Sequence, residues 1–125
     1  MTLRLTLKKS DKLTLKAQFD DVRQRGVKQA GPAMVAAVAP FEQLQCGVVC
    51  GRKFSLLAVK RNRARRLLWE SLRMLKPRLA PCRIVLIPRR KILDYSVHQT
   101  VQELAGLFAR HGVLLKNAES PQQNS

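Results

Sequence analysis

Acidic side chains are scarce in this chain of 125 residues. It holds 8 Asp and Glu against 24 Lys and Arg, which gives a formal net charge of +16. Self-repulsion on this scale opposes a compact fold, and a polyanionic partner relieves it. Nucleic acid is the leading candidate, because each phosphate neutralised by a cation releases a counterion and adds affinity that does not depend on base sequence. An anionic membrane surface is the rival partner.

Long hydrophobic runs are absent. No apolar run approaches the roughly 20 residues that a membrane-spanning helix needs. The first residues alternate Leu3, Leu5 and Leu7 with polar residues and contain no apolar core of a signal peptide. The basic segment in the middle of the chain lacks the large apolar anchors that interfacial helices use. We therefore expect no membrane contact and a cytoplasmic location.

Cysteine is limited to three residues, an odd number. Cys46 and Cys50 lie in a predicted strand, where four residues of extended chain separate them by about 13 Å, which is too far for a disulfide. The Cys and His residues show no recognised zinc spacing. We expect buried, reduced thiols and no metal bound by the protein alone.

Residue sets for catalysis are also missing. No Ser/His/Asp or Cys/His set and no Gly-rich phosphate loop is present. Two-metal nucleases need clustered carboxylates, whereas the nearest pair, Asp20 and Asp21, points to different sides of a predicted helix. The sequence therefore predicts no catalytic residue, and any catalytic metal must be held by another molecule.

The chain is richest in positive charge between Lys60 and Arg66, where five of seven residues are cationic and no acidic residue occurs between Glu42 and Glu70. At 100° per residue, apolar residues of the 56–75 segment share one side of a helix. This apolar side comprises Leu57, Ala64, Leu67, Leu68, Leu72 and Leu75. Only Glu70 is placed to pair with Arg66. A solvated helix face is the plain alternative, but such faces usually carry carboxylates four residues from their cations.

The apolar pattern and the turn residues predict three helices and at least three strands. The predicted helices are 15–25, 56–75 and 96–110, and the predicted strands are 33–39, 45–51 and 83–88. Thr14 is the expected N-cap of the first helix, and Gly26 and Gly112 are expected helix ends. The first two strands suggest an antiparallel hairpin, and the apolar run 84–87 indicates a central strand covered on both faces.

These elements describe a small α/β sandwich with helices mainly on one side of one sheet. We expect a loose basic arm over residues 1–12, a single RNA-binding domain over 13–113 and a disordered polar tail over 114–125. Two basic clusters, Arg52-Lys53 and Arg89-Arg90-Lys91, follow predicted strands and extend the basic surface.

The basic helix also carries a family resemblance. Residues 58–73, AVKRNRARRLLWESLR, resemble the signature of the bacterial ribonuclease P protein component. Residues 47–53 and 84–90 resemble the strands on either side, and Phe19 with Val22 and Gly26 resembles the family's opening motif. The resemblance covers roughly residues 13–110 in the family's order.

The resemblance implies an α+β fold in the order α-β-β-β-α-β-α, with a mixed four-stranded sheet and a left-handed crossover around the long basic helix. It also implies the protein subunit of a ribonucleoprotein endonuclease that removes 5′ leaders from precursor tRNA. The RNA subunit would be the catalyst and hold Mg²⁺. The partners would be that catalytic RNA and precursor tRNA, with no protein partner required.

The resemblance assigns residues to two sites. Binding of the catalytic RNA falls to Arg52, Lys53, Lys60, Arg61, Asn62, Arg63, Arg65 and Arg66. Binding of the leader falls to Phe19, Arg23, Met34 and Ala37. The last three stand where the family often has aromatic residues, so the leader site is expected to use more charge and less stacking. A core role for Phe19 stays open, as do a ribosomal or assembly protein and a protein-only nuclease for the whole chain.

Overall fold

The computed structural model describes residues 11–115, which form three helices, four strands and two short 3₁₀ turns. In chain order these are α1 (Lys16–Arg25), β1 (Val27–Ala30), β2 (Met34–Pro40), β3 (Gln45–Val48), α2 (Ala58–Leu75), a turn (Lys76–Arg78), β4 (Cys82–Pro88), a turn (Arg90–Asp94) and α3 (Val97–His111). No helix within this range combines the length and apolar character needed to cross a membrane.

The four strands form one mixed sheet in the order β1-β2-β4-β3. β2 pairs antiparallel with β1 and β4, and β3 pairs parallel with β4. The expected α+β fold and its element order are confirmed. The expected hairpin between 33–39 and 45–51 is wrong, because the apolar strand β4 lies between β2 and β3. The hairpin partner of β2 is β1, and Gly31 closes their turn by donating its N–H to the Met34 carbonyl at 2.8 Å.

The parallel pair β3 and β4 is joined by α2, which crosses over one face of the sheet. The left-handed sense of this crossover stays a prediction. β4 buries residues on both faces, as its continuous apolar run predicted.

The sheet separates two hydrophobic cores. Met34, Ala36 and Val38 of β2 belong to the larger core, which contains the buried residues of α2 and α3. Ala37 and Ala39 belong to a smaller core with Val22 of α1 and Leu13. Two helices therefore cover one face, as expected, and α1 covers the other.

The buried side of α2 matches its apolar pattern, with one correction at its beginning. The helix buries Ala64, Leu67, Leu68, Ser71, Leu72 and Leu75. Leu57, expected on that side, is 57% exposed and is the N-cap residue, because the helix begins at Ala58 rather than at residue 56. Burial of each leucine contributes about 1.5–3 kcal/mol, which fixes the opposite side of the helix toward solvent.

The ends of α1 and α3 differ in how well they were predicted. The N-cap of α1 is Leu15 and not Thr14. The Gln18 side chain accepts hydrogen bonds from the backbone N–H groups of residues 14 and 15 at 2.8 and 2.9 Å, which replaces a hydroxyl cap. Gly26 follows α1 as expected. Gly112 ends α3 at φ 77°, a left-handed conformation that favours glycine.

The described residues extend two positions beyond each end of the predicted domain 13–113. Asp11 forms an ion pair with Lys76 at 2.7 Å, and Lys12 pairs with Cys46 beside β3. Leu115 donates its N–H to the Arg78 carbonyl at 2.7 Å. The rest of the predicted arm and tail, residues 1–10 and 116–125, lies outside the described residues.

Candidate nucleic-acid interface

The first half of α2 presents a basic surface, here called the cationic face and formed by Lys60, Arg61, Asn62, Arg63, Arg65 and Arg66. Arg61 and Arg65 are half-buried, and the other four side chains are exposed. Asn62 and Arg66 lie opposite the leucines that pack into the larger core, Arg63 lies on the flank, and Lys60 is exposed in the first turn, before the first buried residue of the helix. The amphipathic pattern of α2 therefore sets the side on which Asn62 and Arg66 lie.

Neutral backbone carbonyls hold three of the arginines in place. Arg61 Nη1 donates to the Ser55 carbonyl at 2.9 Å. Arg65 Nη2 donates to the Cys50 carbonyl at 2.7 Å, so both residues tie α2 to the loop that follows β3. Because a carbonyl carries no net charge, these hydrogen bonds orient the guanidinium groups without neutralising them.

Arg63 makes the corresponding link to the turn after β4. Its Nη2 donates to the Tyr95 carbonyl at 3.1 Å, and its Nε lies 3.4 Å from the Leu93 carbonyl oxygen. Asn62 accepts a hydrogen bond from Arg65 Nη1 at 3.2 Å, which leaves the amide nitrogen of Asn62 for a further partner. The arginine–asparagine–arginine motif is thus fixed against two loops at once.

One carboxylate, Glu70, lies beside this face and lines a pocket with Arg63 and Arg66. The pairing that the spacing allows between Glu70 and Arg66 is not formed, because Glu70 binds Arg73 three residues later on the same helix. The hydrogen bond from Arg73 lowers the pKa of Glu70 below its usual value. Within residues 11–115, Arg66 has no hydrogen-bond or ion-pair partner, and none of the ion pairs includes Arg61, Arg63 or Arg65.

The two basic loop clusters flank the cationic face. Parallel strands place their carboxyl ends at the same edge of a sheet, so the residues after β3 and after β4 lie at one end of the molecule. Arg52 and Lys53 follow β3, and Arg89-Arg90-Lys91 follows β4. Their side chains are exposed at this end, next to the beginning of α2. The expected extension of the basic surface is therefore present in the fold.

A groove of about 310 Å³ runs between α1 and the opposite face of the sheet. Its walls are formed by Phe19, Asp20, Val22, Arg23, Lys28, Ala37, Val49, Val85 and Ile87. The Phe19 ring lies over Gly47, and a Cβ at that position would stand 2.6 Å from ring atom Cε1. Phe19 is half-buried and packs on the smaller core, so it serves as core and as groove wall together.

The groove is lined by two cations, Arg23 and Lys28, and by one acid, Asp20, which is paired. Asp20 accepts hydrogen bonds from Arg23 and from Lys16, the latter at 2.9 Å. The hydrogen bond from Lys16 is the main cause of the lowered pKa of Asp20, and Arg23 lowers the pKa further. Lys28 reaches the groove from β1 because it pairs with Ala37 across the hairpin. The sequence analysis did not find Lys28, because it assigned no residues to the first of the four strands that the resemblance implies.

The four predicted leader residues do not share one surface. Phe19, Arg23 and Ala37 line the groove, but Met34 is fully buried in the larger core on the other face of the sheet. The assignment of Met34 to the leader site is therefore wrong. Side chains alternate between the faces of a strand, so residues 34 and 37 cannot point the same way in a regular strand. By the same alternation, Val35 lies on the face of β2 that carries Ala37.

An ion pair holds α1 against the sheet. Asp21 accepts a hydrogen bond from Arg83 of β4 at 2.9 Å, and Arg83 also donates to Gln45 at 2.8 Å. The Arg83 side chain is 14% exposed and lies 3.8 Å from the Phe41 ring centroid. Hydrogen bonds from Arg25 and then Arg83 lower the pKa of Asp21 to about 2. Asp21 and Arg83 are 62 positions apart in the sequence, and no pattern near either residue predicted their ion pair.

Trp69 is half-buried and packs against the larger core. Lys12 covers its ring, with Nζ 5.1 Å from the ring centroid. This cation–π contact fastens the beginning of the folded part to α2.

The three cysteines are free and buried, as expected. Burial raises the pKa of Cys82 to about 11 and raises the pKa of Cys46 further, and it also raises the pKa of Cys50. All three therefore stay protonated near neutral pH. Among the described residues, no three His, Cys, Asp or Glu side chains come together as metal ligands.

The fold and these two surfaces define a class: a small basic α+β protein with a preset guanidinium face and a separate groove. A family model described as Ribonuclease P matches residues 7–112. The ribonuclease P protein component of Symbiobacterium thermophilum is 35% identical over 112 residues, which cover 86% of this chain and 96% of the relative. The corresponding protein of a Synechococcus strain is 34% identical over 104 residues, 78% of each chain.

Solved structures agree in fold. The Staphylococcus aureus RNase P protein superposes with a TM-score of 0.74 at 20% identity, covering 85% of this chain and 99% of that one. The Thermotoga maritima protein gives 0.68 at 24% identity, covering 79% and 96%. The chain belongs to the ribonuclease P protein family. Membership supports a role in the ribonuclease P complex, and hence in tRNA processing.

Proposed function

We propose that this chain is the protein subunit of ribonuclease P, that its cationic face binds the catalytic RNA, and that its groove holds the 5′ leader of precursor tRNA. The reaction is hydrolysis of the phosphodiester bond at the 5′ end of the mature tRNA. The RNA subunit carries the catalysis and the Mg²⁺ ions, and the protein supplies binding. No protein partner is required, and the expected cytoplasmic location stays a prediction.

One observation supports the RNA-binding role above all others. Arg61, Arg63 and Arg65 are oriented by neutral carbonyls and lack carboxylate partners within the described residues. Ordering a long arginine before binding reduces the side-chain entropy lost on contact. A guanidinium group donates to two phosphate oxygens at once, which suits a folded RNA backbone.

The groove supports the leader role by its shape and chemistry. It offers the ring of Phe19 as a stacking surface, worth roughly 1–3 kcal/mol per base. Lys28 takes part in none of the ion pairs of the described residues and is placed for a phosphate, and Arg23 stands at the same groove, partly compensated by Asp20. A mature tRNA has no leader to occupy the groove, so the protein favours the precursor.

Reconstitution tests the proposal. Adding the chain to the RNA subunit at low Mg²⁺ is expected to accelerate leader removal, because cations on the protein offset phosphate repulsion between the two RNAs. A ribosomal or assembly protein would bind RNA without this acceleration. Cleavage by the chain alone with Mg²⁺ would instead indicate a protein-only nuclease.

A matched pair of variants links the effect to the cationic face. Arg66→Ala removes an uncompensated charge, whereas Arg73→Ala removes one already paired with Glu70 on the same helix. The first variant is expected to weaken binding of the catalytic RNA much more than the second. Equal effects would show that net charge, and not the geometry of the face, sets the affinity.

A further inference from the structure

A second and larger cleft, of about 560 Å³, lies at the end of α3 beside the edge strand β1. Apolar side chains form much of its wall, among them Val27, Pro81 and Val113. Val27 is 60% exposed, which is unusual for a valine in a strand that has one paired side. Arg25, Arg110 and His111 complete the wall. None of these residues belongs to the cationic face or to the groove.

The cleft is positively charged. Its lining residues include no Asp or Glu. Arg110 is exposed and takes part in none of the ion pairs of residues 11–115. Arg25 is partly compensated, since it binds Asp21 and donates to the Pro40 carbonyl at 2.9 Å. His111 Nε2 lies 2.9 Å from the Ala36 carbonyl oxygen, so this nitrogen donates and the ring is held against the sheet.

The cleft and the groove meet at β1. This strand is at the edge of the sheet, and its side chains alternate between the two faces. Lys28 pairs with Ala37 and lines the groove, whereas Val27 pairs with Val38 and lines the cleft. Two residues in the last turn of α1 also line different pockets, since Arg23 lines the groove and Arg25 lines the cleft. A strand leaving the groove across this edge enters the cleft directly.

We propose that the cleft is a second subsite for single-stranded RNA, which takes leader nucleotides that continue from the groove around the edge of β1. Bases or sugars pack on Val27, Pro81 and Val113, and Arg110 binds a backbone phosphate. Proteins bind single-stranded nucleic acid with cationic grooves and with surfaces on which bases pack, usually aromatic ones. In this cleft the cations are combined with aliphatic surfaces. The inference rests on the proposed function, because the groove is its starting point.

Leader length separates this subsite from the groove. The reconstituted holoenzyme is assayed for binding of precursor tRNAs with leaders of stepwise increasing length. Arg110→Ala is expected to reduce the salt slope of log K by about 0.7 and the affinity by about fivefold at 0.1 M salt, the effect of one lost phosphate contact to a single strand. Both changes are expected only for leaders long enough to leave the groove. Val27→Asp, which adds a carboxylate to the cleft, is expected to give the same length dependence.

Lys91→Ala is the control, since it removes one charge at the opposite end of the sheet and is expected to affect short and long leaders alike. An Arg110→Ala effect that is equal for all leader lengths, or absent, overturns the subsite. A role of Arg110 confined to stabilising the end of α3 would lower the melting temperature and leave the length dependence unchanged. If no leader of any length strengthens binding over mature tRNA, the proposed function itself fails.

Discussion

Arg65 and Arg66 are neighbours on α2, but the structure predicts different outcomes when each is replaced by alanine. Arg66 has no partner within the described residues, so Arg66→Ala removes charge and leaves the fold unchanged. Arg65 donates to the Cys50 carbonyl at 2.7 Å and to Asn62 at 3.2 Å, so Arg65→Ala also releases the loop after β3. Both variants lose one cation from the same face.

The magnitudes follow from these contacts. One phosphate contact contributes about 0.7–0.9 to the slope of log K against log salt, which is about 5- to 8-fold in affinity at 0.1 M salt. Arg66→Ala is expected to show this loss with an unchanged melting temperature. Arg65→Ala is expected to lose as much RNA affinity or more and about 1–2 kcal/mol of stability, since a hydrogen bond from a charged donor to a half-buried carbonyl is removed.

Two measurements check the pair: RNA binding at several ionic strengths, and thermal unfolding of the protein alone. Arg65→Lys is a useful control, because it keeps the charge but cannot bridge both partners in the same way. Equal unfolding temperatures for Arg65→Ala and Arg66→Ala would refute the claim that the carbonyl contacts fix the face. A flat salt response in the wild type would remove the electrostatic argument altogether.

Three further predictions concern the groove and its support. Gly47→Ala places a Cβ against the Phe19 ring and is expected to weaken leader binding by up to about tenfold, within the range for one stacked base, while catalytic-RNA affinity stays unchanged. Met34→Ala is expected to cost about 2–5 kcal/mol of stability without changing leader affinity. Ala37→Gln is expected to block the groove and so to weaken leader binding. Denaturant titration measures the first effect, and leader-binding assays measure the second. The pKa of Asp21 is about 2 in the fold and 3.8 in the unfolded reference, so its stabilisation is complete above about pH 4 and is lost as the pH falls toward 2. Asp21→Asn is expected to flatten the pH dependence of the free energy of unfolding in that window, and an unchanged slope would contradict the stabilisation of the Asp21 carboxylate by Arg25 and Arg83.

The cationic face was predictable because its causes are local. Leucines at helical spacing fix which side of α2 is buried, and the absence of acids between Glu42 and Glu70 leaves the other side uncompensated. Glu70 was placed to pair with Arg66 four positions away, but it pairs with Arg73 three positions away, a spacing that the sequence analysis did not consider. This difference changes one contact and leaves Arg66 without a partner among the described residues.

The sheet order and the groove were less predictable, because they depend on contacts between distant residues. Asp21 and Arg83 meet across 62 positions of sequence, and nothing near either residue indicates the pair. β1 is a short exposed strand of four residues and carries no apolar run. The misplacement of Met34 was avoidable, since the alternation of side chains along β2 already separates it from Ala37.

The position of β4 also has a consequence for how the chain folds during synthesis. β4, an inner strand of the sheet, comes late in the sequence. Met34 of β2 pairs with Pro88 of β4, and Gln45 of β3 pairs with Arg83 of β4. Until the ribosome has released that strand, β2 and β3 cannot join one sheet, and pairing over such separations is slow. Nascent chains therefore expose β2, β3 and the leucines of α2 together, a state prone to aggregation. The net positive charge that suits the folded protein to RNA also makes the nascent chains repel one another.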